Sequence, residues 1–245
     1  MTEKKLNLQR ARGVRDFPPE EMIVRQKVID LLRSTFELFG FNPLETPIIE
    51  RLDVLSSKYA GGAEILKETF TLQDQGNREL CLRYDLTVPV CRFVGMNPIL
   101  KMPFKRYQMG QVFRDGPIKL GRYREFWQCD VDTFGTKSML ADAEFIQIAQ
   151  SFFKQLGLDV KIEVSNRKVL DGILTYCDIP ENKRVEVITA IDKIKKMGID
   201  KVEKELQEKG LLSEQVDKLL RTLNMNITNQ EKVAKLKQMF PPGPA

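Results

Sequence analysis

Histidine is absent from all 245 residues, and tryptophan occurs once. Without an imidazole, Ser-His-Asp triads, histidine acid–base chemistry and most zinc sites fall away. The four cysteines, Cys81, Cys91, Cys129 and Cys177, show no CxxC spacing, and three lie in apolar or strand-like stretches. That pattern argues against a disulfide framework or a metal site and reads as buried, reduced thiols. No window approaches the run of about 18 apolar residues that a membrane-spanning helix needs. The opening MTEKKLNLQRARGVRDFPPEE is charged and has no apolar signal core, so a soluble, cytoplasmic protein with no membrane association is expected.

What remains is an ordinary globular balance, with 42% hydrophobic and 30% charged residues, enough for one large or two modest cores. The net charge of +5 is spread among interspersed Lys, Arg, Asp and Glu; it permits a polyanionic partner without requiring one.

A first helix is expected from Pro18 or Pro19, with Asp16 as cap, to Phe39, where Gly40 supplies the left-handed end. Val24, Val28, Leu31, Leu32 and Phe36 recur at helical spacing and mark its inward face. Residues 41–49 read as an extended stretch at an edge or interface, because Pro43 and Pro47 cannot sit in a central strand. Two short runs, 69–72 and 80–83, bracket the turn Asp74-Gln75-Gly76-Asn77 and predict a hairpin. Residues 86–93 are apolar enough to be buried. The longest pattern is a second hairpin, 104–113 and 123–134, with Gly116, Pro117 and Gly121 in its connection, so the middle region reads as mainly antiparallel sheet. After it come a helix ending at Gly157, a strand over Val160, Ile162 and Val164, and a lysine-rich stretch of helical period from Asn166. Pro241 to Ala245 cannot extend a helix and read as a disordered tail.

The chemistry concentrates on the second hairpin. Arg122, Arg124, Gln128 and Asp132 fall at even positions, and a strand's period of two puts them on one face. Arg114 ends the preceding strand. Arginine suits phosphate because its planar fork makes paired, charge-assisted hydrogen bonds and never deprotonates. Spacing alone is equally compatible with a solvated basic hairpin. Polar Gln128 and Asp132 amid Phe126, Trp127, Val131 and Phe134, however, are poor core composition unless they line a cleft. A second polar group, Arg83-Tyr84-Asp85-Leu86-Thr87, reads either as an Arg83–Asp85 salt bridge with Thr87 capping the next segment, or as an Asp85–Thr87 pair holding an amino group.

These segments carry a resemblance. QVFRDGPIKLGRYREF, with Arg114, resembles motif 2 of the class II aminoacyl-tRNA synthetases, and GRYREFWQCDVDTFG is most similar to its version in the histidyl-tRNA synthetase family. LFGFNPLETPIIE resembles motif 1, with Pro47 as its characteristic proline, and LRYDLT resembles the LR-x-(D/E)-x-T segment of the same family. The resemblance covers residues 12–164, and 166–223 resemble the family's helical insertion. It implies an α+β fold, with a class II synthetase-like antiparallel sheet flanked by helices over 1–164, incomplete here, and an all-helical insertion module over 165–240.

The same resemblance implies a histidine-tRNA ligase that forms histidyl-adenylate from ATP and L-histidine with Mg²⁺, then transfers the amino acid to tRNA-His. Arg114 would be catalytic, meeting the ATP α-phosphate and the histidine carboxylate; Arg122 would hold the phosphate tail. Asp85, Thr87, Gln128 and Asp132 would form the histidine pocket, and the Pro47 strand would lie at a homodimer interface. No metal held by protein side chains is expected.

Two departures qualify this. The acidic residue common two places after the motif 2 arginine is replaced by Gly116, with Asp115 adjacent. Moreover, neither a motif 3 arginine segment, an RGLDYY-like segment nor an anticodon-binding domain is found, so this polypeptide alone is expected to be a poor or inactive ligase. Two alternatives stand beside the ligase: a non-catalytic paralogue such as the regulatory subunit of ATP phosphoribosyltransferase, and a dimerisation or binding module.

Overall fold

The computed structural model describes residues 8–58 and 66–240, and the chain divides into two compact units, Met1–Ile162 and Glu163–Ala245. The first opens with helix α1, Pro19–Leu38, with Pro at its first position and Glu20 and Glu21 in the first turn, where acidic side chains favour the helix dipole. Its N-cap is Pro18, without a side-chain bond, so the expected Asp16 cap is not made. Asp16 lies instead 3.7 Å from Arg10. Gly40, at φ +75°, ends the helix as its lack of a Cβ allows.

Residues 41–49 do not form one strand. Asn42–Pro43 (β1) runs parallel to the long strand Phe104–Phe113, and Ile49–Arg51 (β2) joins a different sheet. Pro43 and Pro47 remove the donors that a continuous ladder would need. Helix α2, Leu52–Lys58, follows. Strands β3, Thr71–Gln73, and β4, Glu79–Leu82, form the first hairpin. Its turn is held by Asp74, whose Oδ1 accepts from the N–H groups of Gly76 at 2.9 Å and Arg78 at 3.0 Å, with Asn77 at φ +58°. Sheet order is β2-β4-β3. The apolar run expected to be buried is helix α3, Thr87–Met96.

The second hairpin is the spine of the unit. β5, Phe104–Phe113, and β6, Glu125–Phe134, pair antiparallel without interruption, Phe104 opposite Phe134 and Phe113 opposite Glu125. Directly opposed residues share a face. One face carries Tyr107, Met109 and Val131, which pack with Phe36, Phe41, Phe145 and Ile148 of α1, the following turn and helix α4, Met139–Gln155. The other face is polar. The expected strand at Val160, Ile162 and Val164 is not formed. Alternation alone cannot make a strand, and no described neighbour offers it a ladder.

The second unit is helical: α5 Arg167–Tyr176, a 3-10 turn Glu181–Lys183, α6 Arg184–Ile191, α7 Ile194–Met197, α8 Ile199–Glu208, α9 Ser213–Leu223 and α10 Asn229–Met239. Gly198 and Gly210, at φ +85° and +79°, separate its helices. Leu174, Val187, Val202, Leu206, Val216 and Leu219 are fully buried in its own core. Residues 241–245, read from sequence as a tail, lie outside the described residues.

All four cysteines are free, but only Cys81 and Cys177 are buried. Cys91 and Cys129 are exposed, against expectation. Cys129 sits on β6, which among the described residues pairs only with β5.

Candidate functional site

Register assembles the polar face of the hairpin. Across it lie the pairs Arg106–Asp132, Gln108–Asp130, Gly110–Gln128 and Val112–Phe126. Gln128 and Asp132 thus share a face, as their spacing requires. Arg122 and Arg124 do not belong to the strand, which begins at Glu125. Arg122 sits in a small turn bridged to Lys119, because Gly121, at φ +75°, folds the connection back. Arg124 accepts the N–H of Arg114 on its carbonyl at 2.8 Å and donates its own N–H to Gly13 at 2.8 Å, so both arginines remain at the same end of the strip.

The segment Arg83–Leu86 runs along the strip. Phe113 donates its N–H to the Arg83 carbonyl at 3.0 Å. The Arg83 guanidinium, 4% exposed, donates to the carbonyls of Thr46 and Gln111, each at 2.7 Å. Burial lowers its pKa. It passes so close to β5 that a Cβ on Gly110 would lie 2.5 Å from its Nη2, which is why a strand interior tolerates glycine there. Asp85, buried, accepts the N–H of Val88 at 2.8 Å and so caps α3, the role one sequence reading assigned to Thr87, the first residue of that helix.

Arg114 leaves the end of β5 and lies between two rings, 4.4 Å from the centroid of Tyr84 and 5.0 Å from that of Phe126. Its Nε donates to the Tyr84 carbonyl at 3.3 Å. Such sandwiching fixes a guanidinium while leaving its outer donors available. Arg122 is held by Glu68, which also accepts from the Tyr84 hydroxyl at 3.3 Å. An added Cβ at Gly116 would stand 2.8 Å from the Glu68 carboxyl carbon. The position that lacks an acidic side chain is therefore filled by a carboxylate from another segment.

Three groups on the strip escaped sequence reasoning. Glu68 sits in no motif. Asp130 is placed beside Asp132 by the strand period alone, whereas Arg106 carries the right parity but reaches Asp132 only through the pairing register. Arg106 forms an ion pair with Asp132. Burial raises the pKa of Asp130, against the lowering influence of Arg106. Oε1 of Gln128 is buried and has no hydrogen-bond partner among the described residues, which leaves an acceptor for a ligand N–H. Among the described residues no group of three His, Cys, Asp or Glu side chains is arranged to hold a metal ion.

The fold carrying this strip is that of the class II aminoacyl-tRNA synthetases. The solved histidyl-tRNA synthetase of Nostoc sp. PCC 7120 matches with a TM-score of 0.85 at 33% identity, over 96% of this chain and 53% of that one. A Bacillus halodurans C protein, described as an ATP phosphoribosyltransferase regulatory subunit/histidyl-tRNA synthetase, shares the fold at a TM-score of 0.78 and 20% identity, over 96% of this chain and 60% of that one.

The chain belongs to the histidyl-tRNA synthetase family, whose model, described as Histidyl-tRNA synthetase, matches residues 13–245. It is 49% identical over 218 residues to Histidine--tRNA ligase 1 of Bacillus cereus strain ATCC 14579, covering 89% of this chain and 51% of that protein. Against Histidine--tRNA ligase 2 of Shouchella clausii it is 46% identical over 220 residues, 90% of this chain and 52% of that protein. The chain spans about half the length of the curated relatives it matches.

Proposed function

We propose that this chain supplies one half of a histidine-activating site, and that the complete ligase attaches histidine to tRNA-His. The observation that carries the reading is the strip itself: a ring-held arginine at one end, and a buried, unpartnered amide oxygen beside carboxylates at the other. Arg114 would meet the α-phosphate of ATP and the carboxylate of histidine, stabilising charge as that carboxylate attacks phosphorus and pyrophosphate leaves. Arg122 would take the phosphate tail. Asp85 and Thr87 would receive the amino group, with Gln128 and Asp132 accepting from ammonium and ring N–H donors.

Mg²⁺ would neutralise phosphate charge when bound. The donor set fits an ion carried chiefly by phosphate oxygens and water, since no described carboxylate cluster is built to enclose it. No helix among the described residues is long and apolar enough to cross a membrane, which is compatible with a cytoplasmic enzyme. Pro47, between β1 and β2, would lie at a homodimer interface. Residues 165–240, which have a core of their own, would act as an insertion module.

The test is histidine-dependent ATP–pyrophosphate exchange, measured on the chain alone and after the C-terminal half of a relative is supplied. Weak or absent exchange alone and robust exchange on completion is the expected result. A completed chain that activates no amino acid, or prefers another, defeats the proposal. The regulatory alternative instead predicts co-purification with a phosphoribosyltransferase catalytic subunit and no exchange.

A further inference from the structure

Residues 8–18, ahead of α1, form neither helix nor strand. A turn over 11–14, closed by the Val14 N–H on the Ala11 carbonyl at 3.4 Å, places Gly13 third, at φ +87°, where glycine is favoured in such a turn. The Gly13 carbonyl accepts the N–H of Arg124 at 2.8 Å. A Cβ on Gly13 would stand 2.8 Å from Cδ of Arg124 and 3.0 Å from Cδ1 of Ile118. Glycine thus meets two demands there, a left-handed φ and a close approach to the connection of the long hairpin.

Two residues on, Arg15 extends the contact. Its guanidinium lies 4.4 Å from the ring centroid of Phe17 and 5.8 Å from that of Tyr123, and it pairs with Glu21. Arg25 of α1 lies 4.3 Å from the Phe17 ring and 5.1 Å from that of Trp127. Cations and rings therefore alternate from Tyr123 in the connection, through this segment and α1, to Trp127 on β6. Each such contact is weak at a half-exposed surface, but together they clamp a stretch of chain that has no ladder of its own.

The clamp bears on residues 114–124. Connections are ordinarily more mobile than the strands they join, and side chains that must be ordered on binding lose affinity. Two backbone bonds run in series here: Arg124 donates to Gly13, and the Arg124 carbonyl accepts from Arg114 at 2.8 Å. The Arg124 side chain also pairs with Asp115 at 3.0 Å. Both ends of the connection are tied to Gly13 through one residue.

We propose that Gly13 and Arg15 are positioning residues: they hold the connection so that Arg114 and Arg122 meet nucleotide phosphates already in place. The inference rests on the reading of these arginines as the phosphate end of the site. A segment that served only the fold would, when loosened, weaken both ends of the site alike or neither. A clamp on the connection acts on ATP and spares histidine, whose pocket lies at the far end of the strip.

Calorimetric titration with ATP, and separately with histidine, tests this on the full chain, alone and completed by the C-terminal half of a relative. Gly13→Ala should weaken ATP binding about three- to tenfold and leave histidine affinity within about twofold of the parent. Arg15→Gln, which adds no backbone strain, should do the same. Arg15→Lys, which keeps a cation beside the rings, should recover part of the loss. Where Gly13→Ala does not fold, the two Arg15 variants carry the test. Parental ATP affinity in Arg15→Gln, or a parallel loss of both ligands, overturns the positioning role and leaves the phosphate reading standing. Failure of the parent to bind ATP, both alone and completed, overturns that reading and this proposal with it.

Discussion

Arg122 donates through Nη2 to both carboxylate oxygens of Glu68, at 3.0 and 2.9 Å. The contact joins the connection of the long hairpin to a segment more than fifty residues earlier, and the Glu68 carbonyl accepts the N–H of Asp115 at 2.7 Å. A carboxylate thus occupies the arginine proposed for the phosphate tail. On that proposal it is an internal anion that a nucleotide would have to displace.

Neutralising that anion should favour the nucleotide. Glu68→Gln is expected to tighten ATP binding about two- to fivefold, the scale of a partly exposed ion pair. Calorimetry at low ionic strength measures it, and the gain should shrink as salt is added. Equal or weaker binding by Glu68→Gln would mean that Glu68 supports the site instead of competing for it.

Arg114 separates chemistry from stability. Arg114→Ala should reduce histidine-dependent exchange in the completed enzyme by about 10³-fold or more. Denaturant unfolding should register only about 0.5–1 kcal/mol, the contribution of its ring contacts. Comparable exchange by parent and variant would remove Arg114 from the reacting phosphorus.

Asp130 predicts a pH dependence of definite sign. Its folded pKa is raised above the ordinary value of an aspartate, with burial the largest cause. The native state therefore holds its proton to higher pH than the unfolded chain does, and stability declines as pH rises through that window. Asp130→Asn abolishes the titration, so its stability relative to the parent should improve between pH 4 and neutrality. Urea unfolding at both pH values reads the difference. The opposite trend would mean that attraction to Arg106 outweighs burial.

Gly110 tests the close passage of Arg83. In Gly110→Ala the new methyl would lie 2.5 Å from Arg83 Nη2, forcing the guanidinium off the Thr46 and Gln111 carbonyls. A loss of about 1–3 kcal/mol is expected, read by thermal or denaturant unfolding. Unchanged stability would show that Arg83 can yield without cost.

The elements legible in sequence are those whose signals are local. The Asp74–Asn77 turn, the helix stops at Gly40, Gly198 and Gly210, and the β5–β6 hairpin each announce themselves through residues that few other conformations accept. Expectations failed where partnership decided the outcome. The alternation of Val160, Ile162 and Val164 had no strand to pair with among the described residues, and Asp16 lost the helix end to Pro18. Arg122 left the strand face because a glycine turn intervenes.

By itself the sequence determined the family motifs, the strand period that aligns Gln128 with Asp132, and the absence of any imidazole with which to do chemistry. Those properties follow from residue identity and spacing within one segment. Only the tertiary structure decided that Arg106 grips Asp132, that Arg83 lies over Gly110, and that Glu68 takes the place beside Gly116 and holds Arg122. Each of these joins groups from different strands or segments. Their meeting depends on pairing register and on which buried charges can be satisfied together, and neither is written in any one stretch of chain.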